Sequence, residues 1–91
     1  MCVEWDIAKA KSNLKKHGVS FAEAQTVLED DFALTVNDDS HSFEERRFVT
    51  IGESLAKRLL IVFHTIEPEK IRIISARKPT KRERQNYEEG I

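Results

Sequence analysis

The chain predicts an α+β fold of order β-α-α-β-β-β-β-α, an antiparallel four-stranded meander sheet packed with helices. Three observations carry this expectation. Before Glu29 the apolar residues recur at three- and four-residue spacing; after Glu29-Asp30-Asp31 they gather in short runs rich in β-branched and aromatic residues; and only turn-length segments separate the last three runs. Short connections favour antiparallel pairing, because a parallel pair needs a long crossover.

Cys2-Val3-Glu4-Trp5 alternates as a short strand does, and Asp6 offers a side-chain acceptor suited to capping a helix. That helix is expected over Ile7–His17, with Ile7, Ala10 and Leu14 on its apolar stripe and Lys9, Lys11, Lys15 and Lys16 elsewhere. Gly18 can adopt the left-handed conformation that closes it. Ser20-Phe21-Ala22-Glu23 has the pattern of a capping box and opens a second helix through Ala24, Val27 and Leu28. Strands follow over residues 32–36, 46–51, 58–66 and 70–77, with turns at 52–57 and 67–69. Residues 59–63 are apolar on both faces and form the expected central strand. Pro79 ends the last strand, and Thr80-Lys81-Arg82-Glu83 forms another capping box for a closing helix to about Glu89.

At 91 residues, with 40 % apolar and 34 % charged residues, the chain suits a single domain over 1–91 with one modest core. The longest apolar run, 59–63, is far too short to cross a bilayer, and Glu4 and Asp6 stand where a secretory signal would be basic. A cytoplasmic protein with no membrane partner is expected. The lone Cys2 excludes an internal disulfide framework.

Charge is distributed unevenly. Seven cationic residues lie between Lys70 and Arg84 against one acid, Glu83, whereas the formal net charge of the chain is only −1. The segment 29–53 supplies the balance, with eight acids against Arg46 and Arg47. A concentrated positive patch on a near-neutral chain points to a polyanion or an acidic protein surface as partner.

No metal or cofactor is expected. His17, His41 and His64 fall in separate segments, and Gly18, Gly52 and Gly90 are isolated or turn-placed, so neither a metal cluster nor a phosphate-cradling loop can be composed from them. The cations and imidazoles that remain suffice for one reaction, cleavage of RNA by its own 2′-hydroxyl. That reaction needs a proton acceptor, cations around the crowded phosphorane and an acid for the leaving 5′-oxygen.

Arg77, at a strand end before the basic helix, could grip a phosphate in bidentate fashion, or simply pair with an acid as a surface arginine does. His17, beside Lys15 and Lys16, is a candidate base; a histidine at a helix C-terminus also stabilises the dipole. His64, on the face shared with Leu60, Val62 and Ile66, reads first as a hydrogen-bonded core histidine. Tyr87 is either an acid or base or the apolar anchor of a polar helix. Trp5 reads as core, with base stacking as the alternative. The acidic segment 38–45 reads as a polar loop.

Longer motifs carry a family resemblance. Trp5-Asp6, Ala8-Lys9-Ala10, Asn13, Lys16-His17-Gly18-Val19-Ser20-Phe21 and Glu23-Ala24 are followed by Glu45-Arg46-Arg47, Ile51-Gly52 and Arg58-Leu59-Leu60. Then come Ile71-Arg72-Ile73-Ile74-Ser75-Ala76-Arg77, Thr80, Arg82-Glu83-Arg84 and Tyr87-Glu88. In this order the motifs resemble the BrnT family of toxins along nearly the whole chain.

The resemblance implies a RelE-like toxin fold and inhibition of translation by endoribonuclease cleavage of RNA. It also implies a BrnA-like antitoxin with a ribbon-helix-helix DNA-binding domain, through whose complex alone operator DNA is reached. Within the shared motifs it implies catalytic roles for His17, Arg47, Arg58, Arg77 and Tyr87, with Lys16 nearby. Lys15, Lys16, Arg72, Lys78, Lys81, Arg82 and Arg84 are the expected RNA-binding cations. Two departures stand out: Ile7 follows Asp6 where the family commonly has proline, and His64-Thr65-Ile66-Glu67-Pro68 replaces a short polar turn. The alternative function is a non-catalytic interaction module whose basic face binds an acidic partner.

Overall fold

The computed structural model describes residues 2–38 and 46–90. Strand β1 (Cys2–Glu4) leads into helices α1 (Ile7–His17) and α2 (Phe21–Val27). Four strands follow, β2 (Leu34–Asn37), β3 (Arg47–Glu53), β4 (Leu59–Thr65) and β5 (Lys70–Arg77), and helix α3 (Lys81–Glu88) closes the chain. The order of elements is the expected one. The polar-loop reading of segment 38–45 lies, from residue 39 on, outside the described residues, as does His41.

The sheet departs from a four-stranded antiparallel meander: it is five-stranded and mixed, in the order β1-β5-β4-β3-β2. Strands β2 to β5 form the antiparallel meander, and β1 joins its far edge parallel to β5, Cys2 opposite Lys70 and Glu4 opposite Arg72. Alternation over three residues shows that β1 is extended but not what it pairs with. Its place is secured by ion pairs from Glu4 to Arg72 at 2.9 Å and to Lys70 at 3.7 Å.

Helices α1 and α2 cover one face. Val19, Phe21, Ala24 and Val27 pack with Leu60, Val62, Ile73 and Ala76 in a fully buried cluster. Trp5 flanks it, its ring edge-on to Phe21 at 6.1 Å, which bears out the core reading. The apolar stripe expected for α1 is not its buried face. Ile7 and Leu14 are 70 % and 51 % exposed, while Ala10 packs on the core, Asn13 is buried and His17 is half-buried. Asn13 can go inside because its carboxamide is satisfied: Nδ2 donates to the carbonyls of Val19 (2.9 Å) and Ala76 (2.8 Å), and Oδ1 accepts the Ala76 N–H (3.1 Å).

The helix starts follow their caps. Asp6 accepts the Lys9 N–H, Ser20 that of Glu23 and Thr80 that of Glu83. Thr80 and Glu83 complete a reciprocal capping box; at Ser20 the box is half-made, because the Glu23 carboxylate is engaged elsewhere. Gly18 closes α1 at φ 70°, donating to the Leu14 carbonyl.

Strand β2 begins at Leu34 rather than 32, since Asp30 accepts the N–H of Phe32 on its side chain and that of Ala33 on its carbonyl, forming a turn. Strand β3 runs on through Gly52, which is therefore a strand residue and not a turn residue. A Cβ there would sit 2.8 Å from that of Ala33, so only glycine lets β3 pass the turn at Asp30. No helix among the described residues is long and apolar enough to cross a membrane.

Candidate functional site

One end of the sheet gathers the approach to β4, the end of β5, the C-terminus of α1 and helix α3. Asn13 ties α1 to Ala76, and Arg58 Nη2 donates to the Gly18 carbonyl at 3.1 Å. These two contacts bring the last turn of α1, with Lys15, Lys16 and His17, beside Arg58. The depression at this end has a volume of about 500 Å³. Its lining includes Arg58, Leu59, Pro79 and Tyr87, with Lys78 and Arg84 among the cations and Glu53 and Glu88 as acids.

Arg58 is held by a carboxylate distant in sequence. Its Nε donates to Glu23 Oε2 at 2.9 Å and its Nη2 to Glu23 Oε1, while Ser54 Oγ donates to Oε2 at 2.7 Å. The hydrogen bond from Arg58 is the main cause that lowers the Glu23 carboxyl below its ordinary range, and Glu23 in turn raises Arg58. Three contacts therefore fix the guanidinium, and the two Nη1 donors have no protein partner among the described residues. A planar cation oriented in this way, with one amino group unspent, can present two N–H groups to a phosphate without ordering itself first.

Arg77 is arranged differently. Its Nη1 and Nη2 donate to the two oxygens of Glu83 at 2.8 and 3.0 Å, Nη1 also reaches the Lys78 carbonyl, and the guanidinium lies 5.4 Å from the Phe63 ring centroid. The fork that a phosphate would occupy holds a carboxylate, so the ion-pair alternative is the one observed. Led by this hydrogen bond, the Glu83 carboxyl falls to about 2. Arg77 thus clamps the end of β5 to the capping box of α3.

The Tyr87 hydroxyl donates to the Phe32 carbonyl at 3.4 Å. Burial, assisted by the charges of Asp30 and Glu53, raises its pKa, so the hydroxyl stays protonated and can donate at neutral pH. His17 ends α1 next to Gly18 but is outside the lining of the depression. Lys15, Lys16, Lys78, Lys81, Arg82 and Arg84 are exposed, and none forms an ion pair among the described residues.

Arg47 and Arg72 stand apart from this set. They line a second groove of about 280 Å³ with Trp5, Asp6 and Lys9. Arg47 opens β3, opposite Thr65, whereas Glu53 closes that strand opposite Leu59. Six residues of extended chain separate the two ends by about 20 Å. The residues expected to act together are thus divided: Arg58, Tyr87, Lys78 and Arg84 share a depression, His17 and Arg77 border that end, and Arg47 and Arg72 do not reach it.

His64 is a core histidine, 1 % exposed. Its Nδ1 lies 3.0 Å from the Thr65 carbonyl and must carry the proton to donate there, so Nε2 accepts from Thr50 Oγ1 at 2.7 Å. Thr50 Oγ1 then accepts from Thr35 at 2.7 Å. Burial pushes the His64 pKa down.

Sequence reasoning missed Glu23, Glu53, Glu88 and Lys57. Glu23 had a sufficient local explanation as half of a capping box. Lys57 gives no sequence signal of its φ of 66°, a left-handed conformation taken by few non-glycine residues, in the turn that places it on the rim.

Comparison with known proteins gives two findings. The family described as "Ribonuclease toxin, BrnT, of type II toxin-antitoxin system" matches residues 5–83. The fold is similar to the 1.1 Å crystal structure of the Brucella abortus ribonuclease toxin BrnT, with 25 % identity and a TM-score of 0.67, over 89 % of this chain and 99 % of that one. No curated protein matches significantly.

Proposed function

Since the chain belongs to the BrnT family of ribonuclease toxins of type II toxin–antitoxin systems, we propose that it arrests translation by cleaving RNA at the depression around Arg58, through metal-independent transesterification. The 2′-hydroxyl loses its proton and attacks the adjacent phosphorus, the P–O5′ bond breaks, and the 5′-oxygen takes a proton. The products are a 2′,3′-cyclic phosphate and a 5′-hydroxyl. In this reading His17 accepts the 2′ proton, the Nη1 donors of Arg58 stabilise the phosphorane, and Tyr87 protonates the leaving oxygen. Lys15, Lys16, Lys78, Lys81, Arg82 and Arg84 hold the flanking backbone, and Arg77 keeps β5 and α3 in place. Arg47 and Arg72, at the other end, contact RNA beyond the scissile bond or a partner.

The observation that carries the proposal is the oriented Arg58, whose Nη1 donors, like the Lys78 and Arg84 side chains beside it, have no partner among the described residues. An acidic, amphipathic segment of a BrnA-like antitoxin covers the same basic end. The exposed Ile7 and Leu14 beside the α1 lysines supply apolar contacts for it. We place the protein in the cytoplasm as a single RelE-like domain over 1–91, reaching operator DNA only within the antitoxin complex.

The test is cleavage of a single-stranded RNA in excess chelator, with end-group analysis of the products. Cyclic or 3′-phosphate ends in the parent, and their loss in Arg58→Ala with the fold intact, are expected. Activity that vanishes with chelator and returns with magnesium overturns the mechanism. A folded chain that binds antitoxin but neither binds nor cuts RNA leaves the interaction-module reading.

A further inference from the structure

A depression that takes a polyanion should be free of carboxylates, because each one repels the phosphates. Glu53 and Glu88 nevertheless line this one among Lys57, Arg58, Lys78 and Arg84. Neither acid has an ion-pair partner among the described residues. An acid in such a place becomes favourable where it meets hydrogen-bond donors; in RNA these are the ribose 2′-hydroxyls and the bases, and only a base edge sets two donors side by side for both oxygens of one carboxylate.

The two acids are not equivalent. Glu53 ends β3 in register with Leu59, and its own N–H is donated to Asp30 Oδ2 at 2.8 Å, so its backbone is held in place where it lines this depression and the neighbouring one beside Asp30. Glu88 lies in the last turn of α3, a helix with no buried residue. Glu53 also lies close enough to Tyr87 for its charge to act on the phenol, whose hydroxyl is tied to Phe32. An aromatic ring, a carboxylate on a hydrogen-bonded strand end, and Lys78 and Arg84, which form no ion pair among the described residues, thus share one depression of about 500 Å³, within the range of small-ligand pockets.

We propose that this depression reads guanine in single-stranded RNA: Glu53 accepts the N1–H and N2–H of the base, and Lys78 and Arg84 hold its flanking phosphates. The inference rests on the RNA-cleavage reading and adds a substrate preference to it. Guanine alone suits the carboxylate. Its Watson–Crick edge offers two adjacent donors, whereas adenine and cytosine pair each amino donor with a ring acceptor, and uracil sets its single donor between two carbonyls. In those three bases an acceptor would face a carboxylate oxygen.

The experiment measures binding by the full chain of four short single-stranded RNAs that differ only in one central base. They are 2′-O-methylated at that base so that binding is read without cleavage, and unmethylated copies are then used to measure rates. The parent is expected to favour the guanine oligonucleotide by roughly 10- to 100-fold, as for a good bidentate base contact. In Glu53→Gln the side chain offers one acceptor and one donor, the complement of adenine and cytosine, so the ranking should turn toward those bases.

That change of ranking cannot come from misfolding. Equal binding of all four RNAs by the parent overturns the guanine inference and leaves the RNA reading intact. So does a Glu53→Gln variant that loses rate equally on every sequence, which would make Glu53 a general base instead. Failure to bind any of the four overturns both.

Discussion

The carboxamide of Asn13 stands in for a strand against Ala76. Ala76 is paired with Val62 of β4, and its N–H and C=O point to the opposite edge, where Asn13 Oδ1 and Nδ2 meet them at 3.1 and 2.8 Å. Strand β1 covers β5 only from Lys70 to Arg72, so a side chain of α1 completes the pairing that β1 leaves undone. The same contact sets the C-terminus of α1 at the candidate site.

Replacing Asn13 with Ala leaves the Ala76 N–H and C=O and the Val19 carbonyl without this partner. The expected loss is about 2–4 kcal/mol, since each unsatisfied buried group costs about 1–3 kcal/mol and water recovers part of it. Urea unfolding measures it. A loss below about 1 kcal/mol would show that the edge tolerates water there.

Arg58→Lys keeps the charge but not the planar fork. RNA cleavage should fall by about 10²-fold or more, as for loss of an oriented donor at a developing oxyanion. Glu23→Gln keeps one acceptor oxygen and turns the other into a donor, which loosens the guanidinium, and a loss of roughly tenfold is expected from misplacement alone. Single-turnover rates beside circular dichroism check both. Equal rates for parent and Arg58→Lys would remove Arg58 from the site.

Acid stability should depend on Glu83. Its pKa falls from 4.5 in the unfolded chain to about 2 when folded, chiefly through Arg77. Its contribution is therefore complete above about pH 4.5 and lost as pH falls from there toward 2, where the folded chain also takes the proton. Glu23 and Glu4 are lowered too and act in the same direction. Glu83→Gln should be less stable at pH 7 and show a flatter acid limb in urea midpoints measured against pH. An acid limb as steep as the parent's would contradict the Arg77 clamp.

His64 acts in a higher window. Burial depresses its folded pKa below 6.5, so as pH falls through 6.5 the unfolded chain binds a proton that the folded chain resists, and stability declines down to the folded value. Between about pH 7.5 and 5.5 the parent should lose stability, and His64→Gln should lose less, while being weaker throughout for want of the contact with Thr50. A variant with the parent's full pH response would assign the change to another group.

Gly52→Ala is expected to cost about 1–3 kcal/mol, the usual range for overpacking, because the new methyl meets the Cβ and Cα of Ala33 and the Asp30 carboxylate. Thermal melting reads the change. Unaltered melting would mean that the turn at Asp30 moves aside freely.

What the sequence alone determined is what acts locally. Asp6, Ser20 and Thr80 accept an N–H three residues on, so the helix starts were legible from short windows, as were Gly18 closing α1 and the extent of β5. The motifs over 5–83 also carried the family. Tertiary structure decided the rest. Ile7 and Leu14 look like the inner face of α1 until Asn13, 63 positions from Ala76, finds the open edge of β5 and turns the helix to bury an amide. Glu23 looks like a cap until Arg58, 35 positions away, takes its carboxylate. Arg47 and Arg58 look like members of one site until β3 carries them to opposite ends of the sheet. Propensity and capping energies reach only a few residues along the chain, but whether a polar group is buried, paired or free depends on neighbours that only the folded sheet supplies.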